Sequence, residues 1–287
     1  MGQQPKYASP LSDFGFKKLF GTEPNKEILI HFLNSLLPEK HQINDLHYKV
    51  TEQLGRSAKD RKVLFDIQCT STTGERFIVE MQKTVNKYIF DRSLYYSTFP
   101  IQEQVSKGEF TSNIELQPVY MIAILNFVFD DENADKEIVT EVGLINRSTL
   151  KEHSDKLNFI FIHLPNYTKN LEELETNRDK WFYLLRNMEK LNDIPAKLRD
   201  RVFERFFKQA EVAGFTPDEW ETYNRDVMDT KDHRAELETA DELGWKRGKE
   251  EGREEGREEG EAIGIEKGIY LVAKNLLQEG LSVELVQ

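Results

Sequence analysis

The sequence predicts an α/β protein in which a central sheet is covered by helices. Apolar residues recur at helical spacing in "NKEILIHFLNSLL", and they form short strand-like runs in "FDIQCT" and "FIVEMQ". Two further segments, "VYMIAILNFVF" and "LNFIFIHLP", are uninterrupted apolar runs of the kind found in strands buried on both faces. The order of helix, strands, helix and strands therefore predicts a layered α/β core.

The first half of the chain provides two helices, a group of strands and a third helix. "SDFGFKKLFG" predicts a capped helical turn ending at Gly21, and the next helix carries Glu27 near its start and stops at Pro38. The segments "INDLHYKVTEQ", "RKVLFDIQCT" and "ERFIVEMQK" predict three strands joined by turns. Helical spacing resumes in "YIFDRSLYYSTF", and Pro100 is expected to lie beyond the end of that helix.

The second half of the chain adds a strand and then becomes helical. "EIVTEVGLIN" predicts a strand between the two apolar runs, and helical spacing dominates from about Leu171 to Tyr223. The apolar stripes of this region are predicted to be core rather than a cofactor site; they contain Trp181, Phe182, Leu184, Leu185, Val202, Phe203, Phe206 and Phe207.

Composition limits the class of protein. The 287 residues are 38% apolar and 31% charged, which suffices for one large domain or two with a substantial core. No run approaches the roughly 18 apolar residues of a membrane span, and "MGQQPKYASP" lacks the order of a secretory signal, so a cytoplasmic protein is expected. The single Cys69 is predicted to be an inert core thiol. The six histidines lack metal-ligand spacing, which argues against zinc.

The charge is unevenly distributed along the chain. The net charge of −12 argues at first sight against a nucleic-acid partner, but the residues from Asp232 onward carry 15 acidic and 8 basic side chains. The preceding body therefore carries only −5. Basic residues surround the segment 65–82 in sequence, either as a track for phosphates or as a solvated face: Lys17, Lys18, Lys59, Arg61, Lys62, Lys83, Lys87 and Arg92.

The C-terminal tail contains an internal repeat with a glycine at every fourth position from Gly244 to Gly268. Each glycine weakens a helix by about 1 kcal/mol relative to alanine, so a helical tail is marginal in isolation. A period of four keeps the glycines on one slowly drifting helical face, where a second helix can approach closely, while flanking Glu and Arg pair at i, i+4. Either the tail is frayed and charged, or it self-associates or docks on another chain.

The segment "FDIQCTSTTGERFIVEMQ" combines an apolar hairpin with two acids, Asp66 and Glu80. A turn centred on Thr73 would place Asp66 opposite Glu80 and Leu64 opposite Gln82, with all the polar groups on one side. Opposed carboxylates repel unless a cation or a proton intervenes, and their oxygens suit Mg²⁺. A hairpin with one wetted face is the alternative, and a register shifted by one residue would separate the acids.

The order of Asp66, a turn and then Glu80-Met81-Gln82 resembles the PD-(D/E)XK nuclease core. More closely, the blocks "DFGFKKLFG", "KDRKVLFDIQC", "FIVEMQ" and "DRSLYYST" with the glycine-repeat tail resemble the recombination-promoting nuclease family, also called PD-(D/E)XK nuclease family transposases. The resemblance implies a restriction-endonuclease-like core, with a central mixed sheet flanked by helices and a helical C-terminal region. It suggests a nuclease core over residues 1–170, a helical extension packed on that core over 171–230, and the charged helical tail over 231–287.

The same resemblance implies a DNA endonuclease that depends on Mg²⁺ or Mn²⁺, hydrolyses phosphodiester bonds and promotes recombination or transposon-related mobility. Asp66 and Glu80 match the metal ligands, and Gln82 stands where many related nucleases have lysine. Because neutral glutamine only orients groups through hydrogen bonds, positive charge is expected from the metal and from Lys62 or Lys83.

Four further residues are candidates for this site. Glu27 is a candidate outer carboxylate or a surface ion-pairing residue, and Asp13 is a second candidate or a helix cap. Arg92 and Tyr95 are placed near the catalytic face by the resemblance, with an internal ion pair and core packing as their alternatives. We also expect a homodimer and no small organic cofactor.

Two other functions compete with a plain endonuclease. One is an inactive nuclease-fold interaction protein that self-associates through its tail. The other is a transposase that also joins DNA ends, although the sequence shows no separate DNA-binding module such as a helix-turn-helix.

Overall fold

The computed structural model describes residues 5–49, 52–53, 63–105, 114–128 and 137–279, and the chain divides into two units, Met1–Val227 and Met228–Gln287. The α-helices are α1 (Asp13–Phe20), α2 (Lys26–Asn34), α3 (Ile89–Gln102), α4 (Asn177–Asn187), α5 (Arg201–Ala210) and α6 (Pro217–Gln278). The strands are β1 (Leu46–Tyr48), β2 (Glu52–Gln53), β3 (Val63–Leu64), β4 (Ile67–Ser71), β5 (Arg76–Gln82), β6 (Val119–Leu125), β7 (Val139–Asn146) and β8 (Lys151–His163).

A six-stranded mixed sheet with the order β1-β4-β5-β6-β8-β7 forms the centre of the first unit, as the α/β prediction requires. β5, β6 and β8 run parallel, whereas β1 and β4, β4 and β5, and β7 and β8 are antiparallel pairs. Every residue of β6 is buried, which confirms that its uninterrupted apolar run belongs to a central strand. β2 and β3 form a separate two-stranded ladder.

Helices cover both faces of this sheet. On one face, α1, α2, α4 and α5 bury an aromatic cluster in which the Trp181 ring lies 5.7 Å from the Phe20 ring and 5.1 Å from the Phe206 ring. The aromatic residues of α4 and α5 are therefore core, as predicted. On the other face, α3 packs through Tyr96 and Phe99 against the buried Phe65.

Several element boundaries differ from the predictions. α2 ends at Asn34 rather than at Pro38, and the predicted first strand is divided into β1 and β2. α3 continues through Pro100 to Gln102. The proline ring has a helical φ, and its missing N–H costs the helix one hydrogen bond, the one to the Tyr96 carbonyl. The predicted second strand is broken between Leu64 and Ile67, so Leu64 pairs with Glu52 rather than lying opposite Gln82. The break gives Asp66 a bend conformation immediately before β4.

The register of the β4–β5 hairpin is the one predicted by a turn centred on Thr73. Ile67 lies opposite Val79 and Cys69 opposite Phe77, and Gly74 adopts a φ of +106° that a side chain would strain. Burial raises the pKa of the Cys69 thiol to about 12, as expected for a core residue without a chemical role. Among the described helices, none is long and apolar enough to cross a membrane.

Candidate active site

Two hydrogen bonds join Asp66 to β5 at the open end of the hairpin, one to the Glu80 side chain and one from the Met81 backbone. The Asp66 backbone N–H donates to Glu80 Oε1 over 3.1 Å, and the Met81 backbone N–H donates to Asp66 Oδ2 over 2.9 Å. Each carboxylate thus uses one oxygen to accept a backbone hydrogen bond. The bend at Asp66 makes this exchange possible, because a continued strand would direct the aspartate backbone into the regular ladder.

The two carboxyl groups lie in a largely dry environment. Glu80 is 1% exposed and the Asp66 side chain is 18% exposed. Burial, followed by the charge of Asp66, raises the pKa of Glu80 to about 8, although Arg92 and the Asp66 N–H oppose this shift. Burial also raises the pKa of Asp66, and the Met81 N–H and Lys17 act against it. Such shifts are typical of functional carboxylates.

Cations from the two helical layers face the remaining carboxylate oxygens. Lys17 Nζ on α1 lies 3.7 Å from Asp66 Oδ1, and Arg92 Nη2 on α3 lies 3.4 Å from Glu80 Oε2. The Arg92 guanidinium also lies over the Tyr96 ring, 4.8 Å from its centroid. In each carboxylate, therefore, one oxygen accepts a hydrogen bond from the backbone and the other oxygen faces a cation.

Lys17, predicted only as one of the basic residues around the segment 65–82, contacts Asp66 directly. It also contacts Asp13 Oδ1 over 2.8 Å, so it joins Asp13 to Asp66. Burial alone would lower the pKa of Lys17, but the hydrogen bond and charge of Asp13 outweigh it, and the pKa is raised. Its signal in the sequence is the i, i+4 spacing from Asp13, which also fits an ordinary helix-surface ion pair.

Asp13 and Glu27 occupy different surroundings. The capping oxygen of α1 belongs to Ser12, which accepts from the Gly15 N–H, so the interpretation of Asp13 as a helix cap is wrong. Asp13 instead reaches the site through Lys17. Glu27 forms ion pairs with Arg201 at 3.0 Å and with Arg205 at 3.3 Å. These contacts match the interpretation of Glu27 as a surface ion-pairing residue.

Of the remaining candidate residues, some lie beside the carboxylate pair and others contact different parts of the protein. Gln82 lies two residues after Glu80 in β5, on the same face of the strand and half-buried. Lys83 Nζ contacts Asp226 Oδ1 over 2.5 Å, which ties it to the start of α6, whereas Lys62 lies outside the described residues. Arg92 forms an ion pair with Glu80, which is the internal ion pair given above as the alternative to a role in DNA contact. The Tyr95 side chain is 55% exposed, so the alternative of core packing does not apply to it.

The carboxylate pair by itself supplies two of the ligands that a divalent cation would need. No group of three or more His, Cys, Asp or Glu side chains within the described part of the chain is arranged to hold a metal ion. Mg²⁺ retains several waters and is usually held by one or two carboxylates together with substrate phosphates. Asp66 and Glu80 would offer that number of ligands through Asp66 Oδ1 and Glu80 Oε2, the oxygens that Lys17 and Arg92 face in this structure.

Glu80 gives a prediction about the metal-free protein. A carboxyl group whose folded pKa is raised stabilises the fold below its unfolded pKa, near 4.5, and this contribution is lost as the pH rises toward about 8. Thermal unfolding without metal should therefore show falling stability across this range, by an amount on the order of a few kcal/mol. Glu80→Gln should flatten the profile, since the amide does not ionise.

The matched control is Glu204→Gln, which changes an exposed glutamate of α5. This variant should keep the wild-type dependence on pH. Parallel profiles for the wild type and Glu80→Gln would contradict a raised pKa at Glu80. Added Mg²⁺ should stabilise the wild type most at the alkaline end, where ligand deprotonation no longer opposes binding.

Comparison with known proteins identifies the family to which this arrangement belongs. Neither the curated proteins nor the solved structures gave a match. The family described as PD-(D/E)XK nuclease family transposase matches residues 10–240, a span that includes Lys17, Asp66, Glu80 and Arg92. The chain belongs to the PD-(D/E)XK nuclease family transposases.

Proposed function

We propose that the protein is a metal-dependent DNA endonuclease that hydrolyses phosphodiester bonds by using Asp66 and Glu80. The family implies a nuclease whose substrate is DNA. The observation that carries the proposal is the pair of largely buried carboxylates. Asp66 accepts from the Met81 N–H and Glu80 accepts from the Asp66 N–H, and the second oxygen of each carboxylate faces a cation. Even with Lys17 and Arg92 beside them, both carboxyl groups have a raised pKa, so an ionised pair is costly to bury for a purely structural purpose.

The proposed roles follow from the positions of the side chains. Asp66 and Glu80 would hold Mg²⁺ or Mn²⁺, which would acidify a water molecule and offset charge on the scissile phosphate. Arg92 orients Glu80 and adds positive charge from α3. Hydrolysis breaks the bond between phosphorus and one ester oxygen, with water supplying the new oxygen, and needs no covalent intermediate with the protein.

Lys17 is proposed to supply the positive charge that Gln82 cannot provide. In the family name the last letter of the motif denotes a lysine, and Gln82 occupies that position of the strand. Lys83 is held by Asp226, so it is poorly placed to substitute. Lys17 enters from α1 with its Nζ near Asp66, where it can stabilise negative charge that develops on the phosphate.

The first test is cleavage of supercoiled plasmid DNA by the purified full chain. With Mg²⁺ or Mn²⁺ present, we expect nicked and then linear DNA, and excess EDTA should stop the reaction. Cleavage that continues undiminished in EDTA would overturn the proposed metal dependence. Absence of cleavage under all metal conditions would favour the inactive interaction protein. Promotion of recombination or transposon mobility, proposed as the consequence of cutting, needs a separate assay of joined products.

Self-association through α6 is the second part of the proposal. In the second unit, a Cβ added at any of the repeat glycines would meet nothing within 4 Å, and several large apolar side chains are exposed: Trp245, Ile263, Ile265, Ile269, Tyr270, Leu271 and Val272. A helix so rich in glycine gains little from its own propensity, so contact with a second helix would stabilise it. A C₂ dimer of tails is the simplest arrangement.

The tail makes a prediction for sedimentation. Replacing Gly252, Gly256 and Gly260 with leucine should obstruct close helix approach and shift the protein toward monomer, whereas alanine should stabilise the helix by about 1 kcal/mol per site and preserve association. Analytical ultracentrifugation at micromolar concentrations measures both. A monomeric wild type, or a leucine variant that associates equally well, would favour the frayed acidic tail instead.

A further inference from the structure

Helix α3 carries two exposed tyrosines on either side of Arg92, the α3 residue that contacts the candidate active site. Tyr88 at its N-cap and Tyr95 are 59% and 55% exposed, and both lie on the helix face that carries Arg92. The spacing of four and then three residues places all three side chains along one stripe. Arg92, whose Nη2 is 3.4 Å from Glu80 Oε2, therefore lies between the two tyrosines along this stripe and links it to the carboxylate pair.

Two cations of this region lie over aromatic rings, one over Tyr88 and the other over Tyr96, the neighbour of Tyr95. Lys87 Nζ lies 4.9 Å from the centroid of the Tyr88 ring, and the Arg92 guanidinium lies 4.8 Å from that of Tyr96. Tyr95 meets Phe99 edge to face at 5.2 Å, a contact that orients the Tyr95 ring while leaving more than half of the side chain exposed. Positive groups that meet phosphates, combined with aromatic faces that meet bases, are the common design of surfaces for single-stranded nucleic acid.

We infer that Tyr88 and Tyr95 stack on unpaired bases next to the scissile phosphate, so that the preferred substrate is DNA with unpaired nucleotides at the cutting site. The inference rests on the proposed nuclease function. In an intact duplex the base faces are covered by their neighbours, and an aromatic ring has nothing to stack on except at an end or a distortion. The two rings are separated by about 10 Å of helix, with Arg92 between them.

The test is equilibrium binding of the full chain to fluorescein-labelled DNA in EDTA, where cutting does not obscure the measurement. One probe is a single-stranded oligodeoxynucleotide and the other is its blunt duplex. Tyr88→Ala and Tyr95→Ala should each lower affinity for the single strand by about fivefold or more, because stacking contributes on this scale per base. Duplex affinity should change by less than about twofold, as cation contacts to phosphates are retained.

Two variants sharpen the comparison. Leu94→Ala removes a similarly exposed but aliphatic side chain from α3, and it should bind both probes as the wild type does. Tyr95→Trp keeps an aromatic face and should retain single-strand affinity. Equal losses on both probes, or no loss on either, would overturn the inference. So would a loss of self-association by Tyr95→Ala in DNA-free protein, which would show that a second copy covers this face.

Cleavage data keep this inference separate from the proposed function. If the wild type cuts no DNA, and Tyr88→Ala and Tyr95→Ala bind single-stranded DNA more weakly than the wild type does, the nuclease proposal fails and the stacking surface stands. If the wild type cuts plasmid DNA while the tyrosine variants bind and cut single-stranded and duplex DNA as the wild type does, the nuclease proposal stands and the stacking surface is rejected.

Discussion

Asp66→Asn and Glu80→Gln should each reduce DNA cleavage by about three orders of magnitude or more while the protein stays folded. Each change removes one ionised ligand from a pair that must together hold the metal, and metal-derived charge stabilisation amounts to several kcal/mol. Both replacements are nearly isosteric. The amide that replaces the Asp66 carboxylate still has an oxygen that can accept the Met81 N–H, so the hairpin should keep its conformation.

The measurement is the initial rate of plasmid nicking at saturating Mg²⁺, with circular dichroism and thermal unfolding on the same samples. Glu27→Gln is the matched control, since this acid is held by Arg201 and Arg205 on α5 and should leave the rate within about threefold of wild type. Nicking by Asp66→Asn or Glu80→Gln at the wild-type rate would remove the proposed site. Loss by Glu27→Gln as well would restore Glu27 as a candidate outer carboxylate.

The hairpin and its two acids were predictable because they depend on local rules. Two-residue alternation and a turn centred on Thr73 fix which residues lie opposite each other, and the observed pairing of Ile67 with Val79 follows directly. The break of the strand before Ile67 was not predictable in the same way. Its benefit is the exchange of hydrogen bonds that joins Asp66 to Glu80 and Met81, which only the folded hairpin provides.

The cations of the site depend on tertiary packing, and sequence proximity was a poor guide to them. Lys83 is next to Gln82 in the chain, yet it contacts Asp226, which is 143 residues away. Lys17 is far from Asp66 in sequence, but α1 brings the two side chains to 3.7 Å. A charged side chain next to a motif in sequence can point to the opposite face of its strand or contact another element. A helix that is distant in sequence can place its own charged side chain at the site.

Lys17→Met should lower the turnover rate by about 10²- to 10³-fold at saturating Mg²⁺ and DNA, the effect typical of losing one preorganised group that stabilises transition-state charge. Lys17→Arg should retain part of the activity because it keeps the positive charge. Lys18→Met is the matched control on the same helix. Its Nζ contacts Glu219 over 2.5 Å and lies 4.8 Å from the Phe215 ring centroid, so its loss should affect stability more than turnover.

The dependence on pH separates two ways in which Lys17 can act. If it only holds Asp66 ionised, its removal raises the pKa of Asp66 further, and Lys17→Met should regain the wild-type rate as the pH rises. If Lys17 stabilises the phosphate directly, the rate of Lys17→Met stays low at every pH.

The double variant that combines Lys17→Met with Gln82→Lys places a positive charge on β5, at the position that lysine occupies in the motif. Recovery of turnover in the double variant, at a pH where Lys17→Met alone is inactive, would establish that α1 supplies the charge that β5 lacks. Failure of Gln82→Lys to restore any activity, in a variant that unfolds at the wild-type temperature, would contradict this exchange of roles.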